Sequence, residues 1–316
     1  MPSKASEWMP LASLDTLRAR ANLLRAIRQF FDDRGVLEVE TPVLSQHATV
    51  DRHIDSFRTH DARWLQTSPE FAMKRLLCAH AVAIWQICKV FRHEEAGRHH
   101  NPEFTMLEWY RPGFDHHALM DEMEALLRHC GVSASDAFER LSYRDAFLRH
   151  AGFDPLRASG ADMAARAEAF SPPPADGLGE QRDGWLDHFY GSIVSPRLGL
   201  ERPCFVYDFP ASQAALSRVR GEVAERFELV WRGIELANGF HELADAHEQA
   251  QRFNAELEWR RDHGKVTPPA DANLIAALQA GLPDCAGVAL GLDRLLMLLV
   301  GAPDLASTLT FDGSRA

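Results

Sequence analysis

Hydrophobic side chains recur every three or four residues near the start of the chain, over residues 15–34. That spacing places them on one face of a helix, and Gly35 follows as a residue that ends helices well. Residues 36–43 are then predicted to form a strand, with Pro42 at its end. The pattern predicts a helix and a strand that together close one edge of a sheet.

A hairpin is the next prediction from the pattern. Residues 83–90 form an apolar, partly β-branched run, and residues 103–110 form a second one. A polar loop with Gly97, Asn101 and Pro102 joins them. Because strand side chains alternate between faces, one face of the second strand carries four of them: Phe104, Met106, Glu108 and Tyr110.

Arg92 and Glu94 share one face where the first strand of this hairpin ends. An arginine fork binds phosphate oxygens in pairs, a flat ring such as Phe104 covers a purine, and carboxylates hold a metal ion or an amine. Each residue alone has an ordinary alternative as a solvated or core side chain. Their combination predicts a sheet surface that receives a nucleotide and a charged small molecule.

A strand-to-helix junction is predicted at Ser68, Pro69 and Glu70, because proline favours the first turn of a helix. One face of that helix carries Phe71, Leu76, Leu77 and the aliphatic stem of Lys74. Glu70 has two interpretations from the residues alone. It is either a first-turn acid favoured by the helix dipole or a partner for a substrate ammonium group.

Helices are also predicted for residues 116–130 and 141–151. Residues 154–200 are the least informative part: the pattern breaks at 171–179 and regains a helical face over 180–193.

Two histidine pairs, His99–His100 and His116–His117, raise the question of a metal site. Neither pair has a third ligand at helical or hairpin spacing, and the chain has no HExxH motif. From the sequence we therefore do not expect a zinc site.

After an apolar strand at residues 204–209, a second hairpin is predicted with its turn at Arg232–Gly233. Its second strand carries Glu235, Asn238 and Glu242. Such residues beside a turn often form a solvated edge. Glu235, however, has apolar neighbours, and two acids with an amide oxygen suit Mg²⁺.

The last third of the chain predicts two helices, a strand and a final helix. Asp245 is a suitable N-cap for a helix that ends before Gly264, and residues 272–280 form another helix. A short apolar strand then leads through Gly291 into a helix with Arg294 in its first turn. A cation at the positive end of the helix dipole calls for an anion, so Arg294 is a candidate phosphate-binding residue.

Composition limits these interpretations only loosely. The chain has 316 residues, of which 46% are hydrophobic, and a net charge of −11. It can bury a sizeable core as one large domain or two smaller ones. It is too acidic to bind nucleic acid mainly through contacts with phosphates. The five cysteines form no CxxC pair, and no apolar run approaches the ~18 residues of a membrane span. We expect a soluble, cytoplasmic protein with reduced thiols.

The first hairpin resembles motif 2 of class II aminoacyl-tRNA synthetases, in the strings FRHEE and RHHNPEFTMLEWY of residues 91–111. The resemblance is to the lysyl branch, and most closely to the short lysyl-synthetase-like ligases that modify elongation factor P. Residues 20–44, with GVLEVETPVL, resemble motif 1, and residues 287–297, with GLDR, resemble motif 3. Residues 154–200 look like the helical insertion of that class.

The resemblance implies a single α+β domain over residues 1–316, with an antiparallel sheet flanked by helices, working as a homodimer. It implies that ATP and Mg²⁺ are used, and that catalysis depends on Arg92, Arg294, Glu235 and Glu242. The implied metal ligands are Glu235 and Glu242. The implied ATP-binding residues are Arg92, His93, Glu94, Asn101, Phe104, Glu235, Leu236, Gly291 and Arg294.

The same resemblance implies a pocket for the amino acid. Ala289 stands where lysyl synthetases carry glycine, as in the short ligases, and its methyl group is consistent with a β-amino acid preferred over α-lysine. His93 stands where relatives carry Asn or Asp, which leaves open how that position contacts the nucleotide. The implied amino-acid-binding residues are Ser68, Pro69, Glu70, Glu108, Tyr110, Asn238, Glu242 and Ala289.

The implied reaction is ATP-dependent activation of (R)-β-lysine, followed by its transfer to a lysine of elongation factor P. The predicted motif 1 helix begins about fifteen residues from the first residue, so we expect no OB-fold and no binding of a tRNA anticodon. Two alternatives remain at this stage. One is a related ligase whose acceptor is a small molecule, a lipid or tRNA, and the other is a catalytically silent synthetase paralogue.

Overall fold

A computed structural model describes residues 8–93, 97–170, 178–179, 181–313 and 315–316, without the side chains of 168–170. Its helices are α1 (Leu14–Asp32), α2 (Glu70–His80), α3 (His116–His129), α4 (Tyr143–His150), α5 (Gly160–Phe170), α6 (Arg182–Phe189), α7 (Ala246–Asp262), α8 (Ala272–Ala280) and α9 (Leu292–Val300). Its strands are β1 (Leu37–Glu38), β2 (Leu44–Ser45), β3 (Trp64–Leu65), β4 (Ile84–Phe91), β5 (Glu103–Pro112), β6 (Glu139–Ser142), β7 (Cys204–Pro210), β8 (Val219–Arg220), β9 (Val223–Trp231), β10 (Ile234–His241) and β11 (Cys285–Gly291).

Within the described residues, one nine-stranded sheet organises the fold. Its strand order is β1-β4-β5-β11-β10-β9-β7-β6, and β8 pairs with β9. The strands from β4 to β7 along this path are antiparallel, whereas the outer pairs β1–β4 and β6–β7 are parallel. β2 and β3 form a separate small ladder. The predicted α+β class, with an antiparallel sheet flanked by helices, is confirmed.

One face of the sheet is covered by α1, α3 and α9. Alternate side chains of the strands, such as Trp109 of β5 and Leu229 of β9, point into this layer and are fully buried. They pack with Phe31 of α1 and Met123 of α3, and the rings of Phe31 and Trp85 stack at 5.0 Å. Each large buried side chain contributes about 1.5–3 kcal/mol, so this layer is the main core.

Two smaller apolar clusters cover the ends of the opposite face. The region from α4 to α6 packs aromatic side chains such as Phe147 and Phe189 against β7 and β9. At the other end α2, α7 and α8 pack around Leu77 and Phe253. The two clusters stand apart, and the sheet surface between them forms the floor of a cavity.

Most helix boundaries follow signals in the sequence. The predicted cap Asp245 accepts hydrogen bonds from the backbone N–H groups of His247 and Glu248, and Gly281 ends α8. Gly35 has a positive φ of 62° directly after α1, the conformation that makes glycine a good helix stop. These local signals are sufficient because capping involves neighbouring residues only.

Two predicted elements differ from the structure. The strand expected at 36–43 is reduced to β1, which pairs with β4 at Leu37 and Glu38 only. The helix expected at 141–151 starts at Tyr143, because residues 139–142 form β6 along the edge of β7. Both differences arise from pairing with distant strands, which helical periodicity cannot report. Among the described residues, no helix is long and apolar enough to cross a membrane.

Candidate active site

A cavity of about 700 Å³ lies on the sheet between the two smaller apolar clusters. Its walls come from the start of α2, from residues 42–54, from α6 and from α7. Concave sites of this size with a few convergent polar groups are typical of small-molecule binding. The predicted site residues that line it are Ser68, Pro69, Glu70, Arg92, Asn238 and Ala289.

Residues paired directly across neighbouring strands share one face, and Asn238 and Ala289 of one such row line the cavity. Three predicted amino-acid-binding residues from three strands align here, together with an acid that the sequence did not single out. The row consists of Glu108 of β5, Ala289 of β11, Asn238 of β10 and Glu228 of β9.

The adjacent row depends on a glycine. Tyr110 of β5 pairs with Gly287 of β11, which pairs with Phe240 of β10. A Cβ atom on Gly287 would lie 2.2 Å from Tyr110 Cε1 and 2.6 Å from Glu242 Oε1. The Tyr110 ring and the Glu242 carboxylate therefore occupy the space above Gly287, and any side chain there would displace them.

Lys74 of α2 is the buried cation at the centre of this region. Its Nζ lies 2.7 Å from Glu70 Oε1, one helical turn earlier, and 2.6 Å from Glu242 Oε2. Burial lowers the pKa of Lys74, but the charges of Glu242 and Glu70 outweigh burial and raise it. Lys74 is therefore a permanent ammonium group. Sequence patterns indicated a role only for the aliphatic stem of Lys74, because Glu242, which pairs with its ammonium group, is 168 positions away.

Glu108 is the third acid beside this lysine. Its carboxylate accepts hydrogen bonds from Ser68 Oγ at 2.8 Å and from the Tyr110 hydroxyl at 2.6 Å. Ser68 Oγ also accepts from the backbone N–H of Glu70 at 3.0 Å. The junction predicted at residues 68–70 and the second strand of the hairpin are thus joined by one hydrogen-bond chain.

Glu70, Glu108 and Glu242 around Lys74 form what we call the acid cluster, in which three carboxylates face one ammonium group. Burial, reinforced by the charge of Glu70, raises the pKa of Glu108 to about 8. Burial also raises the pKa of Glu242 to about 8, although Lys74 opposes the shift. The cluster is short of positive charge, and only Glu70 among its acids reaches the cavity lining. A cationic ligand would supply the missing charge.

A β-bulge decides the direction of Glu235. The ladder between β9 and β10 shifts by one residue between Glu235 and Ala237, which makes Leu236 an extra residue. Residues three apart on a regular strand point to opposite faces. The bulge therefore brings Glu235 to the cavity face, on which Asn238 and Glu228 also lie.

Glu228 lies close to Glu235 and is almost fully buried. Burial, followed by the charge of Glu235, raises the pKa of Glu228 to about 7. Its carboxylate accepts a hydrogen bond from the Tyr190 hydroxyl at 2.9 Å, and Arg226 donates to it at 2.5 Å. Tyr190 comes from the segment after α6, so the insertion region supports the site directly.

The predicted metal pair of Glu235 and Glu242 needs a correction. Seven residues of strand separate their Cα atoms by roughly 20 Å, too far for one ion. Glu242 is in addition paired with Lys74. Glu228 is the acid that the fold places beside Glu235 instead. Glu228 also lies seven residues from Glu235, but on its N-terminal side and across the hairpin turn.

Mg²⁺ fits the pair of Glu228 and Glu235 on chemical grounds. The pKa of the Glu228 carboxyl group is raised by burial and by the charge of Glu235, so a cation beside it would favour its ionised form. Mg²⁺ prefers carboxylate, phosphate and water oxygens. Glu235 is exposed, so an ion held by this pair could also contact a nucleotide phosphate.

Arg92 and Phe104 lie together at one end of the cavity. The guanidinium carbon of Arg92 is 5.2 Å from the Phe104 ring centroid, a cation–π contact. Arg92 lines the cavity, and its backbone N–H donates to Pro102 O at 2.9 Å. The hairpin thus holds side by side the two residue types that were predicted to contact phosphate and purine.

The rest of the motif 2 loop packs against other loops. His93 pairs its backbone N–H with Asp55 O at 2.7 Å, and its ring contacts Phe57 at 4.9 Å. Asn101 Nδ2 donates to Glu103 O at 2.6 Å, so Asn101 shapes its own turn. Glu94, predicted to bind ATP, lies outside the described residues.

Arg294 lies in the first turn of α9, as predicted. Its guanidinium donates to His99 O at 3.1 Å and to Glu235 O at 2.9 Å, and Nη2 lies 2.6 Å from His100 Nε2. Among the described residues, the hydrogen-bond partners of Arg294 are thus carbonyl and imidazole groups rather than carboxylates. Gly291 lies nearby, where a Cβ atom would be 3.7 Å from Leu236 O.

The wall of residues 42–54 is fixed by α7, a feature that the sequence did not indicate. The backbone N–H of Arg52 donates to Glu256 Oε2 at 2.9 Å, and the two side chains form an ion pair. Arg260, which is 2% exposed, pairs with Asp55. These contacts link positions about 200 residues apart in the sequence.

The chain belongs to the class II tRNA synthetases of the D, K and N group, whose family model matches residues 9–314. Similar relatives carry a more specific name, elongation factor P–(R)-β-lysine ligase. The protein of that name from Salmonella typhi is 48% identical over 326 aligned residues, which cover 99% of this chain and 100% of the relative.

Two further relatives carry the same name. The Vibrio cholerae protein is 48% identical over 98% of this chain and 99% of its own length. The Yersinia enterocolitica protein is 48% identical over 99% of this chain and 100% of its own length. The chain therefore matches these relatives over essentially their whole length.

Proposed function

We propose that the chain is an ATP-dependent ligase that activates (R)-β-lysine as an aminoacyl-adenylate and transfers it to a lysine side chain of elongation factor P. ATP use follows from membership of a class II synthetase family. The amino acid and the acceptor are those in the name of relatives at 48% identity.

The observation that carries the proposal is the charge of the acid cluster. Three carboxylates, Glu70, Glu108 and Glu242, surround one buried ammonium group, Lys74. A lysine isomer brings two further ammonium groups, which would balance the two remaining negative charges. A neutral or acidic amino acid would leave buried charge unpaired, which is costly.

In the first step, an oxygen of the amino acid carboxylate attacks the α-phosphorus of ATP. The new oxygen–phosphorus bond forms as the bond to pyrophosphate breaks, giving aminoacyl-adenylate. Arg92 would stabilise the charge on the α-phosphate, Arg294 would hold the γ-phosphate, and Phe104 would cover the adenine. This chemistry depends on positioning and electrostatics and needs no side-chain nucleophile.

Mg²⁺ held by Glu228 and Glu235 would neutralise phosphate charge. The chain's own residues orient the reactants. Arg226 and Tyr190 fix the Glu228 carboxylate, and the bulge at Leu236 fixes Glu235. His93, Asn101 and Gly291 would shape the nucleotide end through their backbone positions.

In the second step, the ε-amine of the acceptor lysine, in its uncharged form, attacks the acyl carbon of the adenylate. AMP leaves with its bonding electron pair, and the amine loses its proton as the amide forms. Ser68, Pro69, Tyr110, Asn238 and Ala289 would hold the acyl group meanwhile. Ala289 would favour the β-isomer, because its methyl group narrows the floor beside Glu108.

The decisive experiment is the intact mass of purified elongation factor P after incubation with this chain, ATP, Mg²⁺ and (R)-β-lysine. We expect an increase of one lysyl residue, mapped to one lysine by peptide analysis. The Arg92→Ala chain is the matched control. Production of AMP without the mass increase would retain adenylate chemistry and reject the acceptor, and efficient charging of tRNA-Lys would contradict the proposal.

A homodimer is part of the proposal, with residues 1–316 forming one catalytic domain per subunit. Leu37 of the edge strand β1 is 57% exposed, and Val43 beside Pro42 is 37% exposed. Exposed apolar side chains on an edge strand are suited to burial against a second copy. Light scattering of the chain and of Leu37→Asp measures this, and we expect the variant to dissociate.

A further inference from the structure

A second group of convergent side chains lies on the sheet face opposite the cavity, at the N-terminus of α3. Ligand atoms of His116, Glu225 and His241 all lie within 4.8 Å of one another. We call these three residues the histidine cluster. His116 comes from α3, Glu225 from β9 and His241 from the end of β10, so the fold brings together residues up to 125 positions apart.

His116 is buried without its polar contacts being satisfied. It is 2% exposed, and in the described part of the chain neither of its ring nitrogens makes a hydrogen bond. A buried donor or acceptor without a partner costs about 1–3 kcal/mol. The position therefore calls for a ligand on at least one ring nitrogen.

Asp208 offers a fourth group beside His116. Its Oδ1 is buried, has no hydrogen bond among the described residues and lies 3.5 Å from His116 Nε2. Asp208 has a φ of +57° where the β7–β9 ladder shifts register, so a bulge directs it to this place. Two ligands of a tetrahedral zinc ion are roughly 3.3 Å apart, given bonds of ~2.0–2.1 Å.

His241 completes the set from the other side. Its Nδ1 lies 2.6 Å from Glu225 Oε2, and its Nε2 lies 2.9 Å from Asp284 Oδ1. A carboxylate on the second nitrogen of a metal-binding histidine is a common supporting contact, because it fixes the ring and increases its basicity. Asp284 is itself paired with Arg218 at 2.6 Å, which holds it in place.

We propose that His116, Glu225 and His241, with Asp208, bind one divalent transition metal ion of the zinc class. Two imidazoles with carboxylates favour Zn²⁺ over Mg²⁺, which prefers oxygen ligands. The ion would tie α3 to the ends of β9 and β10. Its role is structural, because the site lies on the face of the sheet opposite the cavity.

A metal ion in the histidine cluster would affect the cavity through residues that are adjacent to its ligands in the sequence. His241 precedes Glu242 of the acid cluster, and Glu225 precedes Arg226, which donates to Glu228. Strand side chains alternate, so these two strand ligands each have an active-site residue next to them on the other face. A metal ion here would fix both strand ends without contacting substrate.

The test uses the full chain after removal of metals with a chelator, titrated with Co²⁺ as a spectroscopic substitute for Zn²⁺. Excess Mg²⁺ occupies the acids of the cavity. We expect one equivalent of Co²⁺ with the intense visible absorption of a tetrahedral site, displaced by Zn²⁺. Zn²⁺ at a hundredfold excess over its Kd should raise the Tm by roughly 5 °C or more.

Two variants and a control assign the site. His116→Gln keeps a polar side chain of similar size, and Glu225→Gln keeps the shape of the acid. Each should weaken Co²⁺ binding at least tenfold, whereas His129→Ala, at the exposed other end of α3, should not. Absence of the tetrahedral spectrum in the parent chain would overturn the proposal. An unchanged spectrum in both glutamine variants, or its loss in His129→Ala, would do the same.

Discussion

The two halves of the cavity are held together in different ways. In the proposed amino-acid half, Glu108 and Glu242 are almost fully buried, and side chains bind one another through Lys74, Ser68 and Tyr110. In the proposed nucleotide half, Arg294 is half-buried and donates mainly to backbone carbonyls. The amino-acid half is a buried network of charged side chains, whereas the nucleotide half is more open to solvent and is held mainly by backbone groups.

This contrast explains how one site can combine selectivity with turnover. A buried network with excess negative charge rejects ligands that do not supply the missing cation, because unpaired buried charge is expensive. Phosphate groups are negatively charged and bind together with Mg²⁺, so partly exposed arginines are sufficient to bind them. Changes in the two halves should therefore alter different kinetic constants.

The largest effect is expected in the open half. Arg92→Ala should lower adenylate formation by on the order of 10² or more, the scale for losing one preorganised donor that stabilises transition-state charge. Pyrophosphate exchange measures this step. Arg98→Ala, an exposed arginine that donates to Pro303 O, is the matched control. A loss below about fivefold would remove Arg92 from the mechanism, and absence of exchange with any amino acid would favour a silent paralogue.

The next largest effect is expected from one substitution in each half of the cavity. Glu242→Gln should raise the KM for the amino acid roughly 10- to 100-fold, because a charged hydrogen bond contributes about 1.5–3 kcal/mol. Glu235→Gln should instead raise the KM for ATP. Steady-state kinetics with each substrate varied in turn separates the two. If Glu242→Gln raised both constants equally, the division into halves would be incorrect.

A smaller effect is expected from Ala289→Gly, which removes one methyl group from the cavity floor. The ratio of kcat/KM for α-lysine to that for (R)-β-lysine should rise by roughly tenfold. This is the usual scale of discrimination for a difference of one methylene group in a hydrophobic pocket. Ala280→Gly, at the exposed end of α8, serves as the control. An unchanged ratio would exclude Ala289 from amino acid selection.

The smallest effect concerns pH. Burial raises the pKa of Glu108 and Glu242, so the empty acid cluster holds protons near neutral pH. A cationic ligand favours the ionised carboxylates, and its binding should release protons and tighten a few-fold as pH rises from about 6 to 8. Calorimetry in two buffers of different ionisation enthalpy counts the protons. Proton uptake on binding would contradict this assignment.

The same pKa shifts make the stability of the ligand-free chain depend on pH. Because the folded-state pKa values lie above the usual value of Glu, the folded chain binds more protons than the unfolded chain between about pH 4.5 and 8. The contribution of these two groups to stability is therefore lost as pH rises through that range. Binding of the cationic amino acid should restore this lost stability.

Local signals in the sequence predicted much of this molecule. The N-cap at Asp245, the end of α8 at Gly281 and the hairpin of β4 and β5 depend on neighbouring residues and could be identified directly. Motif resemblance supplied the other candidate site residues, and strand alternation predicted that Glu108 and Tyr110 share one face. Those side chains do lie on one face, because strand alternation is regular there.

Contacts between distant residues could not be predicted in this way. Lys74 gave no signal, because an i,i+4 pair with Glu70 is ordinary on a helix surface, and only folding brings its ammonium group beside Glu242. Glu228 was missed because its place beside Glu235 depends on the pairing of β9 with β10. The histidine cluster was missed because α3 meets β9 and β10 only in the folded chain.

The bulge at Leu236 lets β10 change in length at one position without moving its acids. Substituting Leu236 by another apolar residue keeps the extra position, and with it the direction of Glu235. Deleting Leu236 would leave Glu235 two positions from Asn238, so a regular strand would still place both on the cavity face. In comparisons of related chains, a one-residue gap between 235 and 237 is therefore compatible with the same active site.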